Sequence, residues 1–150
     1  MASINLTTQF SVFLVNKPGV LAQVTGALAQ AKVNIIAMTL VDSQEHGVLR
    51  VVVEKTKAAE AALTKLNLPV TQTDVLCLEL SNRPGALADI AELLGTHHIN
   101  INYAYCTSGA PGGKTTGIFK VADPNKSLKL LGAHIEKHKE LSVRPNVSKR

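Results

Sequence analysis

Short runs of β-branched and apolar residues alternate along this chain with stretches whose apolar positions recur at helical spacing. Gln9 to Val15 is apolar and strand-length, and stops at Asn16-Lys17-Pro18-Gly19, which predicts a first strand and a turn. Val20, Leu21, Val24, Leu28 and Ala31 follow at helical spacing, predicting an amphipathic helix with Pro18 in its first position, where a missing N–H costs nothing. Asn34 to Val41 returns to a strand pattern, with Ile35, Ala37, Thr39 and Val41 expected on one face. A polar loop, Ser43 to Gly47, precedes the β-branched run Val48 to Glu54. Thr56 is the expected N-cap of a helix over Lys57 to Leu66 that buries Ala59, Ala62, Leu63 and Leu66. Pro69 ends it, and Val70 to Thr73 supplies a short last strand.

The second half runs through the same order. Leu76, Leu78 and Leu80 alternate with Cys77 and Glu79, the pattern of a half-buried strand. A helix is predicted from Gly85 to His97, with Leu87, Ile90, Leu93 and Leu94 inward. Ile99 to Tyr105 and Thr116 to Val121 read as paired strands, and Asp123-Pro124 opens a helix with Leu128, Leu131 and Ile135 on one side. Leu141 to Arg144 is the expected last strand, and Asn146 to Arg150 a frayed tail.

The two halves are copies. Asn16-Lys17-Pro18-Gly19-Val20-Leu21-Ala22 returns sixty-six positions later as Asn82-Arg83-Pro84-Gly85-Ala86-Leu87-Ala88, and the register holds to Val33-Asn34-Ile35 against Ile99-Asn100-Ile101. Two copies of this length mean a duplicated small domain, not a solenoid. The reading is α+β: two tandem ferredoxin-like βαββαβ domains, residues 1–73 and 74–150, packed side by side. Domains of about 70 residues sit near the lower limit of independent stability, so they are expected to pack on each other or on another chain, as a homo-oligomer such as a dimer.

A strand-to-helix turn needs Pro and Gly but not Asn. Yet Asn16 and Asn82 recur, as do Asn34 and Asn100. Since one Asn ends the first strand and the other opens the second, both are expected at one corner, beside the unpaired N–H groups of Gly19, Val20 and Leu21 and their counterparts at Gly85, Ala86 and Leu87. A helix N-terminus attracts a carboxylate, and an Asn amide can meet a carboxylate or an ammonium. The corner suits a small zwitterion.

With Asn82-Arg83-Pro84-Gly85-Ala86-Leu87-Ala88 followed by Ile99-Asn100-Ile101, the chain resembles the ACT domain family over essentially its whole length. These are amino-acid-sensing regulatory modules, here without a catalytic domain. The resemblance implies ligand capture at an interface between ACT units, beside the loop joining first strand to first helix. It assigns Asn16, Pro18, Gly19, Val20, Leu21 and Asn34, and Asn82, Pro84, Gly85, Ala86, Leu87 and Asn100, to the ligand. Serine-sensing members carry a His two positions before the first Asn. Leu14 and Leu80 stand there in this chain, which fits a less polar amino acid. A lone sensing module implies a partner enzyme or regulator. The competing reading is a ligand-free ACT assembly module.

Composition narrows the remainder. The net charge of +5 comes from scattered lysines, and aromatics are only 3% with no Trp, so little is offered for stacking bases and no nucleic-acid partner is expected. Gly109 to Thr115 imitates a phosphate loop, but Ser108 stands where that motif needs Gly, and a strand follows. His134 and His138 lie one turn apart without a third ligand. Cys77 and Cys106 match no metal or redox spacing. No metal, cofactor or catalytic residue is expected, nor a membrane span or leader, and a cytoplasmic, non-enzymatic protein is the reading.

Overall fold

A computed structural model of the chain describes residues 3–43, 46–107 and 113–143, with backbone alone at 43 and 138–143. Its elements are β1 (Ile4–Val15), α1 (Val20–Gln30), β2 (Ile35–Ser43), β3 (His46–Val53), α2 (Thr56–Thr64), β4 (Val70–Ser81), α3 (Ala86–Thr96), β5 (Ile101–Cys106), β6 (Lys114–Val121) and α4 (Pro124–Val143). They form two compact units. The N-terminal unit is Thr7–Val75; the C-terminal unit is Leu76–Arg150 together with Met1–Leu6. The expected division at Thr73 therefore falls inside β4, which continues without interruption from one unit into the other.

In the N-terminal unit the strands lie in the order β2-β3-β1-β4. β3 is antiparallel to both neighbours, with Val12 opposite Leu49 and Leu49 opposite Leu40. Phe10, Val12 and Leu14 on β1 join Leu49, Val51 and Val53 on β3 beneath Val24 and Leu28 of α1 and Ala59 and Leu63 of α2. Burying alternate residues of each strand and every third or fourth residue of each helix gives one apolar layer. On β2 the pairing shifts between Ile35, opposite Val53, and Ala37, opposite Val52. This bulge corrects the expected single face: Ile35 packs on the core, while Ala37 turns to the other side.

The C-terminal unit repeats the scheme as β4-β6-β5. Leu76, Leu78 and Leu80 face Ile90 and Leu94 of α3, Leu131 of α4, and Phe119 and Val121 of β6. Its remaining strand does not come from Leu141 to Arg144, as expected. α4 continues to Val143, and Arg144 lies outside the described residues. The start of β1 fills the place instead: Glu79 N–H donates to the Ser3 carbonyl at 2.9 Å, and Ile4 and Leu6 pack on the core.

Both copies of the strand-helix turn share one backbone solution. The N-caps are Gly19 (φ 89) and Gly85 (φ 88), in the left-handed region that favours glycine. Each helix thus begins after the Pro-Gly pair, at Val20 and Ala86, not at Pro18 or Gly85 as the sequence suggested. Leu87, expected inward, is 50% exposed because Ala86 takes the buried place. The helix ends match as well. Val33 N–H donates to the Leu28 carbonyl and Ile99 N–H to that of Leu94, both at 2.9 Å, with Lys32 and His98 left-handed at φ 57. These are Schellman caps made without glycine. α2 starts at Thr56 with Lys55 as its N-cap, one residue earlier than expected. At α4 the expected cap is present: Lys126 N–H donates to Asp123 Oδ1 at 3.1 Å.

Candidate functional site

The first corner is built where β1 ends, α1 begins and β2 ends. Val15 pairs with His46, and His46 with Ser43, so the last residues of β1 and β2 are level across the sheet. That register lets the Asn16 Nδ2 donate to Asp42 Oδ1 at 3.0 Å. Beneath this pair is a cavity of about 140 Å³ walled by Leu14, Val20, Leu21, Leu40 and Val41, with Asn16, Lys17 and Asp42 at its rim. α1 has no side-chain cap and no acidic residue in its first turn, leaving its leading N–H groups and positive dipole end to whatever occupies the corner.

The second corner has the same backbone and different side chains. Arg83 Nη2 donates to Asp89 Oδ2 at 2.8 Å, and Arg83 Nη1 to the Pro84 carbonyl at 3.1 Å. The guanidinium thus lies over the start of α3, near Gly85. A cavity of about 80 Å³ is lined by Leu80, Ser81, Arg83, Ala86, Asp89 and Ile90 together with His134 of α4; it touches neither Asn82 nor β5, so it is not the counterpart of the first cavity. Asn82 N–H donates to the Gly113 carbonyl at 2.8 Å.

Asn34 and Asn100 do not share these corners. The Asn34 Nδ2 donates to Glu54 Oε1 at 3.1 Å, and its carbonyl accepts from Glu54 N–H. Asn100 accepts from Ala122 N–H at 3.0 Å. The sequence-based expectation that both asparagines of a repeat point at one place is corrected by topology. A strand-helix-strand crossover runs its two strands parallel, so the end of one and the start of the next lie at opposite ends of the sheet. Asn34 and Asp42 are eight positions apart along β2, a span of roughly 26 Å at the usual rise per residue. Asp42, Arg83 and Asp89 were not singled out by sequence. For Asp42 the available signal was the level of the β2–β3 hairpin against the end of β1.

Other chemistry is sparse. Burial pushes the Cys77 thiol up, with the Glu79 charge adding to it, and burial raises Cys106 as well, so neither has thiolate character at neutral pH. Lys114, the lysine of the phosphate-loop look-alike, starts strand β6 and pairs with Glu79 at 2.7 Å; residues 108–112 lie outside the described residues, as does the side chain of His138. Among the described residues, no His, Cys, Asp and Glu side chains group to hold a metal ion, and no helix is long and apolar enough to cross a membrane.

Two ferredoxin-like units, each turning from first strand to first helix through Asn-x-Pro-Gly, define a class of duplicated α+β proteins. The family model of the ACT domain pair matches residues 5–141. The chain belongs to the ACT domain family, as a domain pair. No curated protein sequence matches it. Among solved structures, a Bacteroides thetaiotaomicron protein is similar with a TM-score of 0.80 at 28% identity, over 87% of this chain and 90% of that one. The ligand-free regulatory subunit of aspartate kinase from Thermus thermophilus shares the fold with a TM-score of 0.68 at 15% identity, over 88% and 95%. E. coli aspartokinase III, in complex with lysine and aspartate, shares it with a TM-score of 0.52 at 15% identity, over 88% of this chain and 32% of that enzyme.

Proposed function

We propose that this protein is a non-catalytic regulatory module that binds an amino acid at its Asn-x-Pro-Gly corners and passes the bound state to a partner enzyme or regulator. The observation that carries the reading is the first corner. There an amide-carboxylate pair, Asn16 with Asp42, stands over an apolar cavity at an uncapped helix start. A carboxylate meets the leading N–H groups of α1, an ammonium meets Asp42, and a side chain enters the cavity. The kinship with aspartate kinase regulatory subunits, and the lysine and aspartate held by an aspartokinase of the same fold, support an amino acid as the class. A ligand touching both Asn16 and Asn34 requires the second asparagine from another copy of the chain, which fits capture between ACT units in a homodimer. Ligand then regulates by favouring the assembly it binds best.

A second reading, a ligand-free assembly module, draws on Met38, Leu40 and Val41, which are exposed on β2, the outermost strand of the N-terminal unit. A thermal-shift screen against the proteinogenic amino acids separates the two. The sensor gains several degrees from one amino acid or a related few at millimolar concentration, and an Asn16→Ala, Asn82→Ala double variant loses that gain. No shift with any of them favours the assembly module.

A further inference from the structure

We infer that β1 and β4 tie the two units into one regulatory element. Each strand opens as the last strand of one unit and ends as the first strand of the other, so stability gained or lost in one unit is carried along it into its sibling. The two strands are copies to the residue. β1 (Ile4–Val15) and β4 (Val70–Ser81) are each 12 residues long, and their limits stand sixty-six positions apart, the offset of the repeat. One hydrogen bond recurs with the roles of the repeats exchanged. Within the N-terminal unit Phe13 N–H of β1 donates to the Pro69 carbonyl at 3.0 Å; within the C-terminal unit Glu79 N–H of β4 donates to the Ser3 carbonyl at 2.9 Å. Glu79 is the counterpart of Phe13, and Pro69 of Ser3. The side chains follow: Val70 packs on the N-terminal core, and its counterpart Ile4 on the C-terminal core. Each first strand is therefore entered from a segment that finishes the other unit.

Units joined by a loose linker gain and lose order separately. No such linker stands here. The divisions fall between Leu6 and Thr7, inside β1, and between Val75 and Leu76, inside β4. When Ser3 to Leu6 fray, the C-terminal core loses Ile4 and Leu6, and the ladder that continues into the N-terminal unit loses its anchor. The reverse holds for Val70 to Val75. A rigid element shared in this way is a physical carrier of coupling. Asn16 directly follows β1, and Asn82 directly follows β4, so each strand-helix corner is the end of a strand rooted in the other unit. Whatever orders one corner, a ligand or a partner, then stabilises both units, and the device does not depend on which of the two functional readings holds.

The test is hydrogen exchange of the full chain, read by mass spectrometry on peptides from α1 for the N-terminal unit and from α3 for the C-terminal unit. Leu131→Ala cuts the C-terminal core and should speed exchange about tenfold or more in α1 as well as in α3. Leu63→Ala in the N-terminal core should do the same in α3. Ile90→Val, a milder cut that keeps the fold where Leu131→Ala does not, should move both helices by the same factor. Three glycines inserted after Leu6 and three after Val75 interrupt both strands and should confine the effect of either C-terminal cut to α3. The insertion after Leu6 alone leaves β4 whole and should reduce the effect in α1. Faster exchange confined to the cut unit of the natural chain overturns the inference, and so does an effect on α1 that survives the insertions undiminished.

Discussion

In the N-terminal unit Phe10 on β1 faces Val51 on β3; at the matching place in the C-terminal unit Leu76 on β4 faces Phe119 on β6. The large ring has changed strands. One step along, Val12 faces Leu49, whereas Leu78 faces Gly117. A Cβ on Gly117 would stand 2.7 Å from Cε2 of Phe119, so the ring occupies the space that a side chain at that position would fill. The duplicated core has moved most of its volume between neighbours, at a net difference of two side-chain carbons over these four positions. That is how close packing constrains a layer: the sum matters more than any one position.

The exchange can be broken and rebuilt. Gly117→Leu alone should cost about 3 kcal/mol, at the upper end for overpacking. Combined with Phe119→Val, which gives β6 the residues that β3 carries at these two places, at least half of the loss should return. Urea unfolding followed by circular dichroism measures both, and a double variant no better than the single one would show the layers are not equivalent.

A smaller effect tests what the units share. Lys32 and His98 hold the same left-handed cap. Lys32→Gly and His98→Gly should each stabilise by about 0.5 kcal/mol, since glycine removes the Cβ strain at some cost in unfolded-chain entropy. Melting temperatures that move by different amounts would mean the caps are not alike.

The smallest effect belongs to one unit only. Glu79 stands where the N-terminal unit has Phe13, and the hydrogen bond from Lys114 holds its carboxyl below the usual carboxylate range, against a weaker opposing push from burial. A depressed carboxylate stabilises above its unfolded pKa of about 4.3 and loses that contribution as pH falls through the lower folded value. Stability between pH 5 and 2 should therefore fall less steeply in Lys114→Met than in the natural chain, and equal slopes would rule out the pair as a contributor.

Much of this was legible in sequence because the repeat, the Pro-Gly turn and the apolar spacing are local signals. The family, the two ferredoxin-like units and most of the core followed from them. What escaped depends on register and on long-range pairing. Asn16 and Asn34 are joined by one helix in sequence, and nothing short of the crossover's direction shows that they part by the length of a strand. Asp42 meets Asn16 across twenty-six residues. The last strand was misplaced because Glu140 to Val143 has no breaker before Pro145, so α4 continues. The alternation of Ile4 and Leu6 was the overlooked hint.

That N-terminal segment gives the chain an unusual order of assembly. Ser3 to Leu6 are synthesised well before the strand they accompany, which lies around Glu79, more than seventy residues later in the chain. The early segment must wait, exposed, while the unit that follows it in sequence completes itself. Closing so long a loop adds entropy cost and slows folding relative to a purely local hairpin. A chain that starts at residue 74 would lack this strand, so the second repeat borrows its completion from the segment that leads into the first.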